Sequence, residues 1–524
     1  MVTPYRGDLM PTPPSRAPWT LVVVCSAIFM LTLDVTIVSV ALAGIQDELT
    51  ASLSSLQWVV DGYTLPLACG LLSAAVLGDR IGRRRVFVAG LFVFTAASLA
   101  CALAGSAATL IAARAVQGGG AALLFGTALP LLGAAYPEPA QRARAVGVFG
   151  ASYAAATAAG PLIGGVLVDG PGWRWIFLIN VPIGLLAVAG CLRLRESRPD
   201  RAPRNDWTGA ALLSGGLLAL LTALIRGNDD GWASGPILGL CTASAVLLVA
   251  FVGWERRTAD PMLSLRLLVR PAFAGVALQS FATAATLVAA TYYLALHLQN
   301  VAGYSPLETG LRVLPLTATA LVAAPVAAAL LRRFGATPLL VLGLVLAGAG
   351  LLAASLIDES GSMAVLAPGF VLAGAGLGVG AAATASAGLA AVEPADAGMA
   401  TGTVNTMRQI GTAAGVAVLG AVVQFQAKQN AQPLLDTVSQ PLPKDRLIAE
   451  IGAGLGRHTG RYLPAGVRET AAEIARSATN DAVSTVFLIS GAAALAAAVA
   501  CGLLLTRRPA PLPVPVSISA DLNS

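Results

Sequence analysis

Long apolar runs alternate with short polar, arginine-bearing segments along nearly the whole chain. A bilayer core takes about 20 apolar residues per helix. Runs of that kind lie near 19–43, 56–77, 85–104, 107–133, 142–168, 174–192, 207–225, 233–253, 272–296, 307–331, 337–357, 363–391, 399–424 and 482–506, which predicts fourteen transmembrane helices. The first run is too long for a cleaved signal peptide, holds Asp34 and lacks a clear small-residue cleavage site. The segment 425–481 is predicted to lie outside the bilayer, and Pro433, Pro441, Pro443 and Pro464 argue against one continuous helix there.

Composition sharpens this picture. The chain is 56% hydrophobic and only 11% charged, whereas soluble domains carry about 25% charged residues. That excludes a soluble globule, and disorder is excluded because it needs low hydrophobicity and high charge. Only helices and closed barrels satisfy their backbones in lipid, so the expected fold is an all-α integral membrane bundle. Lys428 and Lys444 are the only lysines and neither sits in a phosphate-binding loop, so ATP is not expected as the energy source. His297, His458 and the isolated Cys25, Cys69, Cys101, Cys191, Cys241 and Cys501 show no metal-ligand or redox spacing. The cysteines read as small hydrophobes in apolar helices. No cofactor and no metal are called for, and no nucleophile–base set points to an enzyme.

The net charge of +6 does not indicate nucleic acid, because its placement is one-sided. Alternate polar segments, from Arg6 and Arg16 to Arg507 and Arg508, hold 21 arginines, against Arg174, Arg226 and Arg312 in the opposite short loops. By the positive-inside rule both termini are cytoplasmic, which requires an even number of spans. The expected location is the plasma membrane. The abundance of alanine, with arginine in place of lysine, points to a GC-rich bacterial genome.

Charged side chains inside spans are expensive and usually functional. Counting 1.5 Å per residue puts Asp34 about 22 Å along span 1, Asp61 about 8 Å into span 2 and Arg114 about 10 Å into span 4. All three fall in one outer layer. Burial opposes the charged form of a carboxylate and a nearby arginine favours it. Asp34 is therefore the main candidate for a proton carrier balanced against Arg114, with Asp61 the second; a static pair that fixes the helices is the alternative.

Four motifs carry a resemblance. Gly78-Asp79-Arg80-Ile81-Gly82-Arg83-Arg84-Arg85 follows span 2, Arg114-Ala115-Val116-Gln117-Gly118 lies in span 4, Gly160-Pro161-Leu162-Ile163-Gly164-Gly165 lies in span 5, and WRWIFLINVPIG runs from Trp173 to Gly184. Together with 292–315 and 397–420 they resemble the major facilitator superfamily, in its fourteen-helix drug/proton antiporter branch, over roughly 20 to 425. Span 1 also resembles that branch, although Ser39 and Ala43 stand where it usually has asparagine and proline, and Ala75 replaces the first glycine of the turn motif.

The resemblance implies a 1–18 tail, a six-helix half over 19–192, a linker with two extra helices over 193–271, a second half over 272–506 and a 507–524 tail. It also implies that Asp79, Arg80, Gly82, Arg83 and Arg84, with Gln117 and Gly118, form conformational motifs, and that Gly160, Pro161, Gly164 and Gly165 seal the outer side. Arg332-Arg333-Phe334-Gly335 would echo the first turn in the second half. A cavity for a small amphiphilic substrate would draw on Trp58, Tyr63, Gln279, Tyr292, Asn405, Arg408 and Gln409. His297, near the outer end of span 9, is expected at the membrane interface. The expected function is a proton-coupled exporter of amphiphilic drugs or antibiotics, working as a monomer by alternating access. A proton-coupled importer of a small metabolite shares the fold and stays open on the sequence.

Overall fold

A single segment survives in lipid by closing its hydrogen bonds within itself, and the apolar runs do so as helices. The computed structural model describes residues 17–198, 206–258, 261, 263, 265–358, 361–390, 397–436, 443–452, 463 and 465–506. The first half contains α1 (Ala17–Leu49), α2 (Leu53–Ile81), α3 (Arg83–Ala102), α4 (Ala107–Ala135), α5 (Pro139–Asp169), α6 (Trp175–Leu178) and α7 (Asn180–Cys191). A hairpin of α8 (Trp207–Asp230) and α9 (Gly235–Glu255) follows. The second half contains α10 (Leu265–Val269), α11 (Pro271–Thr283), a π-helical turn over Ala284–Val288, α12 (Ala289–Asn300), α13 (Pro306–Phe334), α14 (Ala336–Ala354), α15 (Met363–Ala390), α16 (Ala397–Asp436), α17 (Lys444–Gly452) and α18 (Ala465–Thr506).

Thirteen helical stretches among the described residues are long and apolar enough to cross a bilayer, with Pro271–Asn300 counted as one. The other predicted span, 174–192, is the shorter apolar stretch Trp175–Cys191, divided into α6 and α7. Helix starts follow local chemistry. Ser52 accepts from the Ser55 amide at 3.1 Å, and capping boxes at Ser106/Thr109 and Ser305/Glu308 open α4 and α13, the latter with Pro306 in its first turn. Gly82 alone separates α2 from α3 at φ 116°, and a Cβ there would stand 2.6 Å from the Glu196 carboxyl carbon. Gly335, at φ 76°, makes the corresponding one-residue turn between α13 and α14.

Within the first half α1 packs on α5, and α2 and α3 pack on α4; within the second, α13 and α14 pack on α15, and α18 lies against α14 and α16. The hairpin lies outside both halves but touches both, with Leu213, Leu217 and Leu221 of α8 packed among Leu65 and Cys69 of α2 and Ala413 and Ala417 of α16.

The halves are closed together at the end away from the Asp79–Arg85 turn. Gln299 donates to the Val40 carbonyl at 2.9 Å, Asn300 to Gln46 at 2.8 Å, and Gln57 to the Val416 carbonyl at 3.2 Å. Helices α5 and α13 also meet there, through Gly165 on Leu307 and Gly310 on Pro161. Cover thins toward the arginine-rich end. Most α5 residues from Arg142 to Ala151 are exposed, and Gly147 and Gly150 have no outside atom within 4 Å of a Cβ position.

The structure adds to one expectation and corrects another. The predicted outer segment 425–481 is largely helical where described: α16 runs on to Asp436, α17 follows, and α18 starts at Ala465. Leu435, Leu447, Ile451, Ala471 and Ala475 join these pieces to the main core. His297 lies near the outer end of α12 as expected, but it is 1% exposed and so buried within the protein, where it borders a small cavity with Val423 of α16 and Thr479 and Val483 of α18.

Candidate functional site

Asp34 and Arg114 are brought into direct contact. Asp34 comes from α1; Arg114 and Gln117, three residues apart, share one face of α4. Arg114 Nη1 donates to Asp34 Oδ2 at 2.6 Å and to Gln117 Oε1 at 2.9 Å, and its Nε donates to the Val59 carbonyl at 3.1 Å. Gln117 and Asn180 each donate to Asp34 Oδ1, at 2.9 and 2.8 Å. Gln117 also donates to Ser98 Oγ at 2.8 Å. Above the guanidinium lies the Tyr63 ring, 4.1 Å away. Asp34 is 0% exposed and Arg114 2%. A lone charge at mid-bilayer costs at least about 2.5–3.5 kcal/mol, so each of these groups makes the other tolerable.

Asp61 is also placed wholly inside the bundle, yet outside this network. Neither of its oxygens meets hydrogen-bond geometry with a described group, Thr64 included. An isolated buried anion is costly, and a proton on the carboxyl removes the charge.

The turn motif is tied within the first half. Arg83 Nε donates to Asp79 at 2.8 Å and its Nη1 to the Pro130 carbonyl at 3.3 Å. Arg84 reaches the Cys191 carbonyl at 2.9 Å, while Arg80 is exposed at the end of α2. Glu196 accepts from the Arg84 amide at 3.0 Å and faces Arg85 at 3.8 Å. The glycine motif fits α5 onto its neighbours. A Cβ on Gly160 would lie 2.0 Å from Thr36 Oγ1, one on Gly164 2.8 Å from Ile37, and one on Gly165 2.7 Å from Leu307 Cα across the halves. Gly118 likewise admits the Tyr63 carbonyl, 2.2 Å from a Cβ position.

The cavity candidates divide. Arg408 of α16 donates to the Tyr153 hydroxyl of α5 and lies 4.7 Å from that ring's centroid, so it reaches across the halves. Tyr292 also crosses, donating to the Val35 carbonyl at 3.2 Å, and Tyr63 serves the Arg114 site. Trp58 packs into the α2–α8–α16 apolar cluster instead. Gln279 is spent within the second half, donating to Thr283 at 3.2 Å and accepting from Thr384. Asn405 bonds the Thr401 carbonyl at 3.1 Å along its own helix, and Gln409 is buried.

Five helices of the first half meet around one acid–arginine pair, and the chain matches the family model of the Major Facilitator Superfamily over residues 24–416. The chain belongs to the Major Facilitator Superfamily. Curated relatives in the superfamily include the tetracenomycin C resistance and export protein of Streptomyces glaucescens, 35% identical, with 94% of this chain and 92% of that one covered. The multidrug resistance protein Stp of Mycobacterium tuberculosis is 36% identical (85% and 83% covered), and the methylenomycin A resistance protein of Streptomyces coelicolor 38% (75% and 83%). Among solved structures, a bacterial homolog of the human lysosomal transporter Spinster, inward-facing and unoccupied, aligns at TM-score 0.63 and 17% identity, over 96% of this chain and 100% of that one. That likeness concerns the superfamily fold.

Asn180, Ser98, Tyr153 and Glu196 belong to these sites without having been singled out in the sequence. Asn180 had a signal: it is the one polar uncharged side chain in WRWIFLINVPIG. Ser98 and Tyr153 have other hydroxyl residues close by, Thr95 for the first and Ser152 and Thr157 for the second, so neither stands out.

Proposed function

We propose that the protein exports amphiphilic drugs or antibiotics from the cell in exchange for protons. Its relatives are resistance and export proteins, and the observation that carries the proton part is the buried Asp34–Arg114 pair with Gln117 and Asn180 as further donors. With the arginine-rich end in the cytoplasm, the orientation that the distribution of basic residues supports, the described arrangement is closed outward and thinly covered inward. Asp34 then stands paired with Arg114, the arrangement expected after its proton has left toward the inside. Cargo enters, the halves rock, and a proton taken by Asp34 from outside dissolves the ion pair and frees Arg114 to change partners. Asp61 is the second acid of the path. One chain supplies both halves, so a single copy completes the route, as a carrier without catalytic chemistry.

Energised everted vesicles test this reading. Vesicles bearing the protein should lose part of their internal acidity when an exported antibiotic is added, and an efflux-deficient host expressing it should gain resistance. Uptake of the compound by whole cells, with no effect on the vesicle gradient, would contradict export.

A further inference from the structure

Arg408 is a cation inside an apolar helix with no acid assigned to it. Among the described residues its only polar side-chain partner is the Tyr153 hydroxyl, its Nε is buried without an acceptor, and no described carboxylate forms an ion pair with it. Arg408 and Tyr153 are both partly exposed, and they come from opposite halves, where the α5 flank opens toward the arginine-rich end. The Tyr153 ring beneath the guanidinium offers an aromatic face. The two acids that could have neutralised Arg408 are otherwise placed. Asp34 is held by Arg114, and neither oxygen of Asp61 makes a hydrogen bond among the described residues.

We infer that Arg408 and Tyr153 form a cargo subsite for an acidic aromatic compound, whose carboxylate, sulfonate or phenolate replaces the missing counter-ion while its ring stacks on Tyr153. The inference rests on the export reading and names its substrate class. The guanidinium supplies charge-assisted, paired donors to a planar anion, and a cationic cargo would meet repulsion at the same place. The rocking halves would share the ligand, since Arg408 and Tyr153 sit on different halves.

Fluorescein (anionic) and rhodamine 6G (cationic) share a xanthene frame and differ in charge. Their binding to the purified full-length chain can be read by fluorescence anisotropy in mildly alkaline buffer, without any gradient. The protein should bind fluorescein about tenfold or more tightly than rhodamine 6G, the size of one lost charge-assisted contact. Arg408→Gln should remove that preference through weaker fluorescein binding, and Arg408→Lys should retain the preference. Rhodamine 6G binding as well as fluorescein, no measurable fluorescein binding, or an unchanged preference in Arg408→Gln would each overturn the inference. Failure of export itself shows differently, as selective binding with no effect on the vesicle gradient.

Discussion

Arg114 and Arg408 both lie within apolar helices, and their surroundings are opposite. Arg114 is sealed inside one half and spends its donors on Asp34, Gln117 and the Val59 carbonyl. Arg408 is partly exposed between the halves, with a tyrosine hydroxyl and no acid. The first arrangement is complete without cargo, so it suits an ion that comes and goes through Asp34. The second is incomplete, so it suits a ligand that brings the missing charge. The same side chain thus serves coupling or recognition according to whether the protein supplies its counter-ion.

The largest effect should come from breaking the complete site. Arg114→Gln leaves Asp34 buried without its cation, and losing one partner of a buried pair costs about 3–5 kcal/mol. Thermal unfolding in detergent should show a marked loss of stability, and export should vanish. Gly165→Val comes next. Its side chain would meet Leu307 across the closed end, and overpacking costs about 1–3 kcal/mol. Labelling of single cysteines introduced beside Gln46 should rise as that end opens; unchanged labelling would mean that α5 and α13 do not hold the closure. Arg408→Gln should change stability by about 1 kcal/mol or less, because it orphans no charged partner; a loss as large as that of Arg114→Gln would erase the contrast between the two sites. Smallest is Asp79→Asn: its pair with Arg83 is partly exposed, and such pairs contribute about 0.2–1 kcal/mol, so melting should barely move.

Much of this was legible from spacing alone. Asp34 and Arg114 could be matched because helical rise converts sequence position into depth, and depth was enough to place them in one layer. Depth does not report which way a helix faces. Trp58 sits at a plausible level yet packs into the apolar cluster with α8 and α16, and His297 lies near a helix end yet is buried within the protein. Hydropathy ends where lipid ends, not where hydrogen bonding ends. Helix α16 therefore runs from its apolar part through Lys428, Gln429 and Asn430 to Asp436 with no apolar signal to mark it. The π-turn at Ala284–Val288 holds neither proline nor glycine, so nothing in the local sequence announced it.

The claim on which the account turns is that Asp34 exchanges the coupling proton. Proteoliposomes separate that step from cargo binding, since cargo-for-cargo exchange needs no net proton movement and gradient-driven transport does. Asp34→Asn should keep exchange and lose transport driven by a pH gradient. Gradient-driven transport at the wild-type rate in Asp34→Asn would contradict the account.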